Sequence, residues 1–193
     1  MHQRFVDPRD GRRTHLHPAR FRARCMRQTV TMPADFCPHC GRPLDAHNRH
    51  LRFALPEPVL EVPVAERAAR TWGSDVLMQV QGVGAFVRIL VPVHLTGGFT
   101  VTYGAWLGVH PDDLRKAYEL WWTEEYAGLE LEGRLANMLP PWESDTYGRP
   151  LRAVVRNRDE VPYADSSSDD FLRDVLTREW PHDDVLSAVA PYE

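Results

Sequence analysis

Two alternating runs joined through glycine limit this chain's fold more than any other feature. From Phe86 to Leu95, Val87, Ile89, Val91, Val93 and Leu95 point one way, and Phe86, Arg88, Leu90, Pro92 and His94 the other. After Thr96-Gly97-Gly98, Phe99, Val101, Tyr103, Ala105 and Leu107 alternate against Thr100, Thr102, Gly104 and Trp106. Period-2 runs around Gly-Gly predict a β-hairpin. Side-chain parity then selects the register, because a one-residue slip turns a strand's whole apolar set to the wrong face. A two-residue loop would mix the faces. A three-residue loop, Thr96 to Gly98, pairs Leu95 with Phe99 and gathers all ten apolar residues on one side. Pro92 cannot donate to a ladder, so its nitrogen is expected to look away from the partner strand.

Around the hairpin the signals are shorter. Residues 32–50 read as an irregular knuckle and 51–63, with Pro56, Pro58 and Pro63, as extended chain. Glu66–Trp72 reads as one or two helical turns and Val76–Val80 as a strand. His110-Pro111-Asp112-Asp113 opens a helix with the stripe Leu114, Ala117, Tyr118 and Trp121. Leu129–Met138 and Leu151–Arg156 read as strands, and Ser166–Asp170 as the cap of a helix bearing Phe171, Leu172, Val175 and Leu176. His182–Val189 reads as a last short helix. The expected class is α+β: an antiparallel sheet with a central hairpin, flanking helices and an N-terminal C-x-x-C segment.

That segment, Cys37-Pro38-His39-Cys40-Gly41, puts two thiolates on one tight turn, a spacing that grips a zinc ion from one side. Completing ligands are sought at His47 and His50, the two within loop reach downstream. The metal candidates are therefore Cys37, Cys40, His50 and His47, with two small packed thiols or a redox pair as the competing readings. On the hairpin's second face Arg88, His94 and Trp106 suggest a surface pocket where Arg pairs an anion. A solvated face with Arg stacked on Trp is the plainer alternative. Adjacent carboxylates such as Asp112/Asp113 and Glu124/Glu125 diverge on a helix and suit solvation better than acid–base work. Nucleophile-elbow, phosphate-loop and dinucleotide-fold motifs are missing from the sequence.

Charge is unevenly spread. Residues 1–31 carry eight Arg against two Asp, a head of net +6, whereas residues 32–193 carry 15 basic and 25 acidic residues, a body of net −10. The head reads as an Arg-rich disordered extension, residues 32–193 as one domain, and residues 35–50 as its knuckle. Nucleic acid is expected only through the head. Three Cys, two of them in one C-x-x-C, form no disulfide framework and point to a reducing cytoplasm. No run of about 18 apolar residues signals a membrane span.

Several of these stretches together resemble a bacterial family, domain of unknown function 2199. They are Cys37-Pro38-His39-Cys40-Gly41, Phe86-Val87-Arg88 with Val91-Pro92-Val93, Tyr103 to Val109, and Leu135 to Pro141. The resemblance covers about residues 35–190 and implies a bacterial origin without an activity. The leading expectation is a non-enzymatic domain that binds a protein partner and carries a structural zinc knuckle. The alternatives are a metal-dependent hydrolase with a Cys/His zinc site and nucleic-acid binding through the Arg-rich head.

Overall fold

The computed structural model describes residues 48–189, together with two short strands near the N-terminus, β1 (Phe5–Val6) and β2 (Arg13–Thr14). The chain divides into two compact units, Met1–Ala34 and Asp35–Glu193. In the first, β1 and β2 pair antiparallel.

The hairpin forms as its parity requires. β6 (Gly84–Leu95) pairs antiparallel with β7 (Phe99–Val109), with Leu95 opposite Phe99 and Val93 opposite Val101. The three-residue loop turns through Gly97 and Gly98 at φ +87° and +81°, a left-handed backbone that glycine adopts without steric cost. On the apolar face Val87, Ile89, Val91, Val93, Leu95, Val101, Tyr103, Ala105 and Leu107 are fully buried. Burying a side chain of this size stabilises by roughly 1.5–3 kcal/mol, so this face is the main core.

Pro92 sits where β6 changes partner along its far edge. Arg88 N donates to Val76 O (2.8 Å), Leu90 N to Pro162 O (2.9 Å) and Thr96 N to Trp180 O (2.9 Å). The same parity points the Pro92 nitrogen away from β7, so no bond of the hairpin is lost.

The expected purely antiparallel sheet is corrected by what surrounds the hairpin. β8 (Glu130–Leu135), β9 (Pro150–Val154) and β10 (Tyr163–Ser166) continue from β7 as an antiparallel meander. β10 then pairs with β6 at Tyr163 and Leu90, closing a five-stranded barrel. With five strands each reversing direction, the first and last run the same way, so the closing pair has to be parallel, as observed. β7 and β8 approach closely at Gly133, where a Cβ would run into the carbonyl oxygen of Gly108. A second parallel pairing joins β3 (Asn48–Arg52) to the first half of β7, Asn48 opposite Thr100 through Arg52 opposite Gly104.

An outer layer covers the other face of the hairpin. β5 (Leu77–Val80) pairs with β6, and β4 (Thr71–Gly73) with β5. The stretch expected to be extended contains a helical turn, α1 (Glu57–Leu60), because Pro58 lies in its first turn, where a missing N–H costs nothing. α2 (Val64–Arg70) follows at once. Val59 and Val62 pack with Met78, Val80, Phe86, Trp106 and Ala136 into a second core.

Three longer helices complete the unit. α3 (Pro111–Leu120) begins at His110, whose Nδ1 accepts from Asp112 N. α4 (Asp170–Thr177) is capped by Asp169, which accepts from Leu172 N (2.9 Å), and buries Leu172, Val175 and Leu176. α5 (His182–Val189) ends the described chain. No helix of the described residues is long and apolar enough to cross a membrane.

Candidate functional site

Two of the buried polar side chains of the described residues, Arg88 and Asn137, flank Trp106 between the barrel wall and the outer layer. Arg88 is only 1% exposed. Strand parity turns it to the outer face of β6, and the strap of residues 53–62 and the hairpin β4–β5 close over it. Its Nε donates to Asp75 O (2.6 Å), Nη1 to Gly104 O (2.8 Å) and Nη2 to Phe53 O (3.0 Å). The planar guanidinium stacks over the Trp106 ring at 4.2 Å.

This is a cage of backbone carbonyls rather than an ion pair. The nearest carboxylate, Asp75, is committed to Arg52 at 3.2 Å on the surface. Burial first, and then the neighbouring Arg52 cation, push the Arg88 guanidinium down to about 10, with Asp75 opposing. Arg88 therefore stays charged at neutral pH, and its charge is met by carbonyl dipoles.

Trp106 is fully buried beside it, and its backbone N–H donates to Asn137 Oδ1 (2.8 Å). Asn137, also fully buried, donates from Nδ2 to Leu55 O (2.9 Å), so one amide ties the barrel wall to the strap. The segment after β8 is bound in further: Ala136 N donates to Trp106 O and Glu57 N to Ala136 O, both at 2.8 Å. On the opposite face Tyr103 donates its hydroxyl to Pro140 O (2.6 Å), and burial pushes its pKa up. Thr146, fully buried, accepts from Leu139 N (3.0 Å) and donates to Glu143 O (2.9 Å), pinning the long loop between β8 and β9. Buried donors without a hydrogen-bond partner among the described residues include Trp106 Nε1, Trp180 Nε1 and the Tyr126 hydroxyl.

Arg88 and Trp106 come together and stack, but both are buried, so they line no surface pocket. The reason is that β5 and α1 cover that half of the face. His94 stands apart at the hairpin's turn end, exposed and opposite Thr100. Cys37, Cys40 and His47 lie outside the described residues, as does most of the stretch read as a knuckle. His50 is half-buried in β3, opposite Thr102. Among the described residues no group of three or more His, Cys, Asp or Glu is placed to hold a metal ion. Asn137 was not singled out. Its signal was a lone amide inside the apolar run Leu135-Ala136-Asn137-Met138-Leu139, which marks a buried backbone partner.

The cage unites separate stretches of sequence. Arg88, Tyr103 to Trp106, and Ala136 to Pro140 lie far apart in the chain and meet through these bonds. Comparison with curated proteins and with solved structures gave no match. A family model described as an uncharacterised protein conserved in bacteria, domain of unknown function 2199, matches residues 36–180, most of the chain. The caged arginine, the bridging asparagine and the barrel they brace all fall inside that match, and the chain belongs to this family.

Proposed function

We propose that this is a non-enzymatic domain whose role is to bind a protein partner. One observation supports the reading best. The buried polar side chains Arg88, Asn137 and Thr146 all spend their hydrogen bonds on main-chain atoms of their own chain. A catalytic group needs unspent donors or acceptors facing a substrate. These groups instead rigidify a barrel and its outer layer, which is what a recognition platform requires.

The proposal includes a structural zinc ion on Cys37 and Cys40, completed by His50 or His47, that fastens the chain leading into β3. Metal analysis of the full-length protein tests it. About one zinc per chain is expected, lost in Cys37→Ser together with several degrees of thermal stability. A metal-free protein with an unchanged midpoint would contradict it.

In-cell cross-linking with mass spectrometry tests the partner reading. A saturable protein partner is expected. Zinc-dependent turnover of ester or phosphoester substrates, abolished by Cys37→Ser with the midpoint unchanged, would overturn it in favour of a hydrolase. Nucleic-acid affinity that falls steeply with salt and vanishes without residues 1–31 would instead place the function in the head.

A further inference from the structure

The outer layer is one unbroken stretch of chain. Residues 54–83 leave the barrel after β3 and return to it at the start of β6, running through α1, α2, β4 and β5. The barrel's own ladder uses none of them. Its five strands, β6 to β10, all follow in sequence, and β10 closes on β6 at Leu90, whose N–H donates to Pro162 O (2.9 Å).

The layer is thinly held. Its buried side chains are Pro56, Val59, Val62, Leu77, Met78 and Val80, and α2 and β4 contribute none. The barrel supplies the floor of the layer's core through Phe86, Trp106 and Ala136. Every ordered residue costs conformational entropy, and a stretch that offsets it with little burial lies at the low end of local stability. Away from that floor, β4 and β5 are a two-stranded hairpin, which is marginal in water. The backbone attachments are Glu57 N to Ala136 O and Arg88 N to Val76 O, both at 2.8 Å, and the short ladder from Leu77 opposite Val87 to Val80 opposite Gly84.

Arg88 couples these attachments. From the barrel strand β6 it holds Asp75 O in the turn before β5, Phe53 O where the strap begins, and Gly104 O in the barrel. Strap and hairpin therefore do not leave singly. Lifting one alone strands a donor of a cation that stays buried, a cost relieved only when the other leaves too and water reaches the guanidinium. Asn137 adds a second tie, donating to Leu55 O (2.9 Å).

We propose that residues 54–83 form a lid that opens as one cooperative unit over an intact barrel, with Arg88 as its latch. The closed form dominates, so the domain is rigid in its ground state. Opening brings Trp106 and the Arg88 guanidinium to solvent, a face of the barrel that the closed form hides.

Native-state hydrogen exchange of the full-length protein, followed by nuclear magnetic resonance through a low-urea series, tests this. Strand β6 carries an internal control. The Arg88 amide is bonded to the layer at Val76 O, and the Leu90 amide, two residues on, to Pro162 O. Glu57, Gln81 and Arg88 amides are expected to exchange through one shared opening. That opening should be populated at least about tenfold more than the one that exposes Leu90 and Val155, with a shallower urea dependence because less surface is exposed.

Two substitutions separate lid from barrel. Leu151→Ala weakens the barrel core, which is intact in the closed and open forms alike. It should speed Leu90 and Val155 at least about tenfold and leave Glu57, Gln81 and Arg88 unchanged. The milder Leu151→Val makes the same comparison should Leu151→Ala fail to fold. Arg88→Met destabilises only the closed form, so it should speed Glu57, Gln81, Leu90 and Val155 by one common factor of about ten or more. One opening common to both sets of amides, separate openings for Glu57 and Gln81, or acceleration of both sets by the Leu151 variants would each overturn the lid. Unchanged exchange at Glu57 and Gln81 in Arg88→Met would overturn the latch.

Discussion

Replacing Arg88 by methionine removes the cage's charge while keeping most of its bulk. Three hydrogen bonds from a charged donor are lost, each of which contributes about 1.5 kcal/mol at the low end of the usual range. Gly104 O keeps a second donor, Phe53 N at 3.1 Å, so it is the least affected of the three acceptors. Relief from burying a cation offsets part of the loss, in the same direction as the burial that lowers the Arg88 pKa. The net cost is about 3 kcal/mol. In a domain of this size that lowers the melting midpoint by about 6–12 °C.

The comparison with a buried ion pair is instructive. Apolar replacement of a whole pair is often neutral, because both charges leave together. Here the partners are backbone carbonyls, which no substitution at position 88 can remove. Urea unfolding followed by tryptophan fluorescence measures the cost. A loss below about 1 kcal/mol would refute the reasoning, since the three carbonyls would then be satisfied without Arg88.

Other substitutions probe the barrel and the groups that brace it. Asn137→Ala leaves Trp106 N–H and Leu55 O unpaired and is expected to cost about 3 kcal/mol in the same assay. Gly133→Ala drives a methyl group into Gly108 O and is expected to cost about 2 kcal/mol by forcing β7 and β8 apart. Burial raises the pKa of Tyr103 and Tyr126 above the ordinary 10.0, so both hold their protons in the fold at a pH where the unfolded chain releases them. Their contribution is complete below pH 10.0 and falls as pH rises beyond it. Arg88, lowered by burial to about 10, acts in the opposite direction over that interval, but it is one group against two tyrosines. Stability should therefore drop above about pH 10, measured by urea midpoints across the alkaline range. Tyr126→Phe should soften that drop at little cost near neutrality, because the lost hydroxyl has no partner among the described residues.

The sequence made the hairpin legible to the residue, because period-2 parity and loop length leave one self-consistent register. The capping helices were legible too, from His110-Pro111 and the acidic cap at Asp169. Barrel closure left no pattern, because β10 has four residues and meets β6 at one pair. β3 reads Asn-Arg-His-Leu-Arg, too polar to announce a strand that pairs in parallel. The burial of Arg88 was hidden for a related reason. An arginine on a strand face ordinarily reaches solvent, and its acceptors here lie 13, 16 and 35 positions away. Only the fold brings those carbonyls around it.

A caged arginine sits where the separated stretches of this chain meet. Side-chain nuclear magnetic resonance of the arginine Nε–H groups tests it most directly. The account predicts one resolved, slowly exchanging signal that disappears in Arg88→Lys, displaced from the others by the Trp106 ring. A guanidinium at position 88 that exchanges with water as fast as the exposed Arg173 would contradict it.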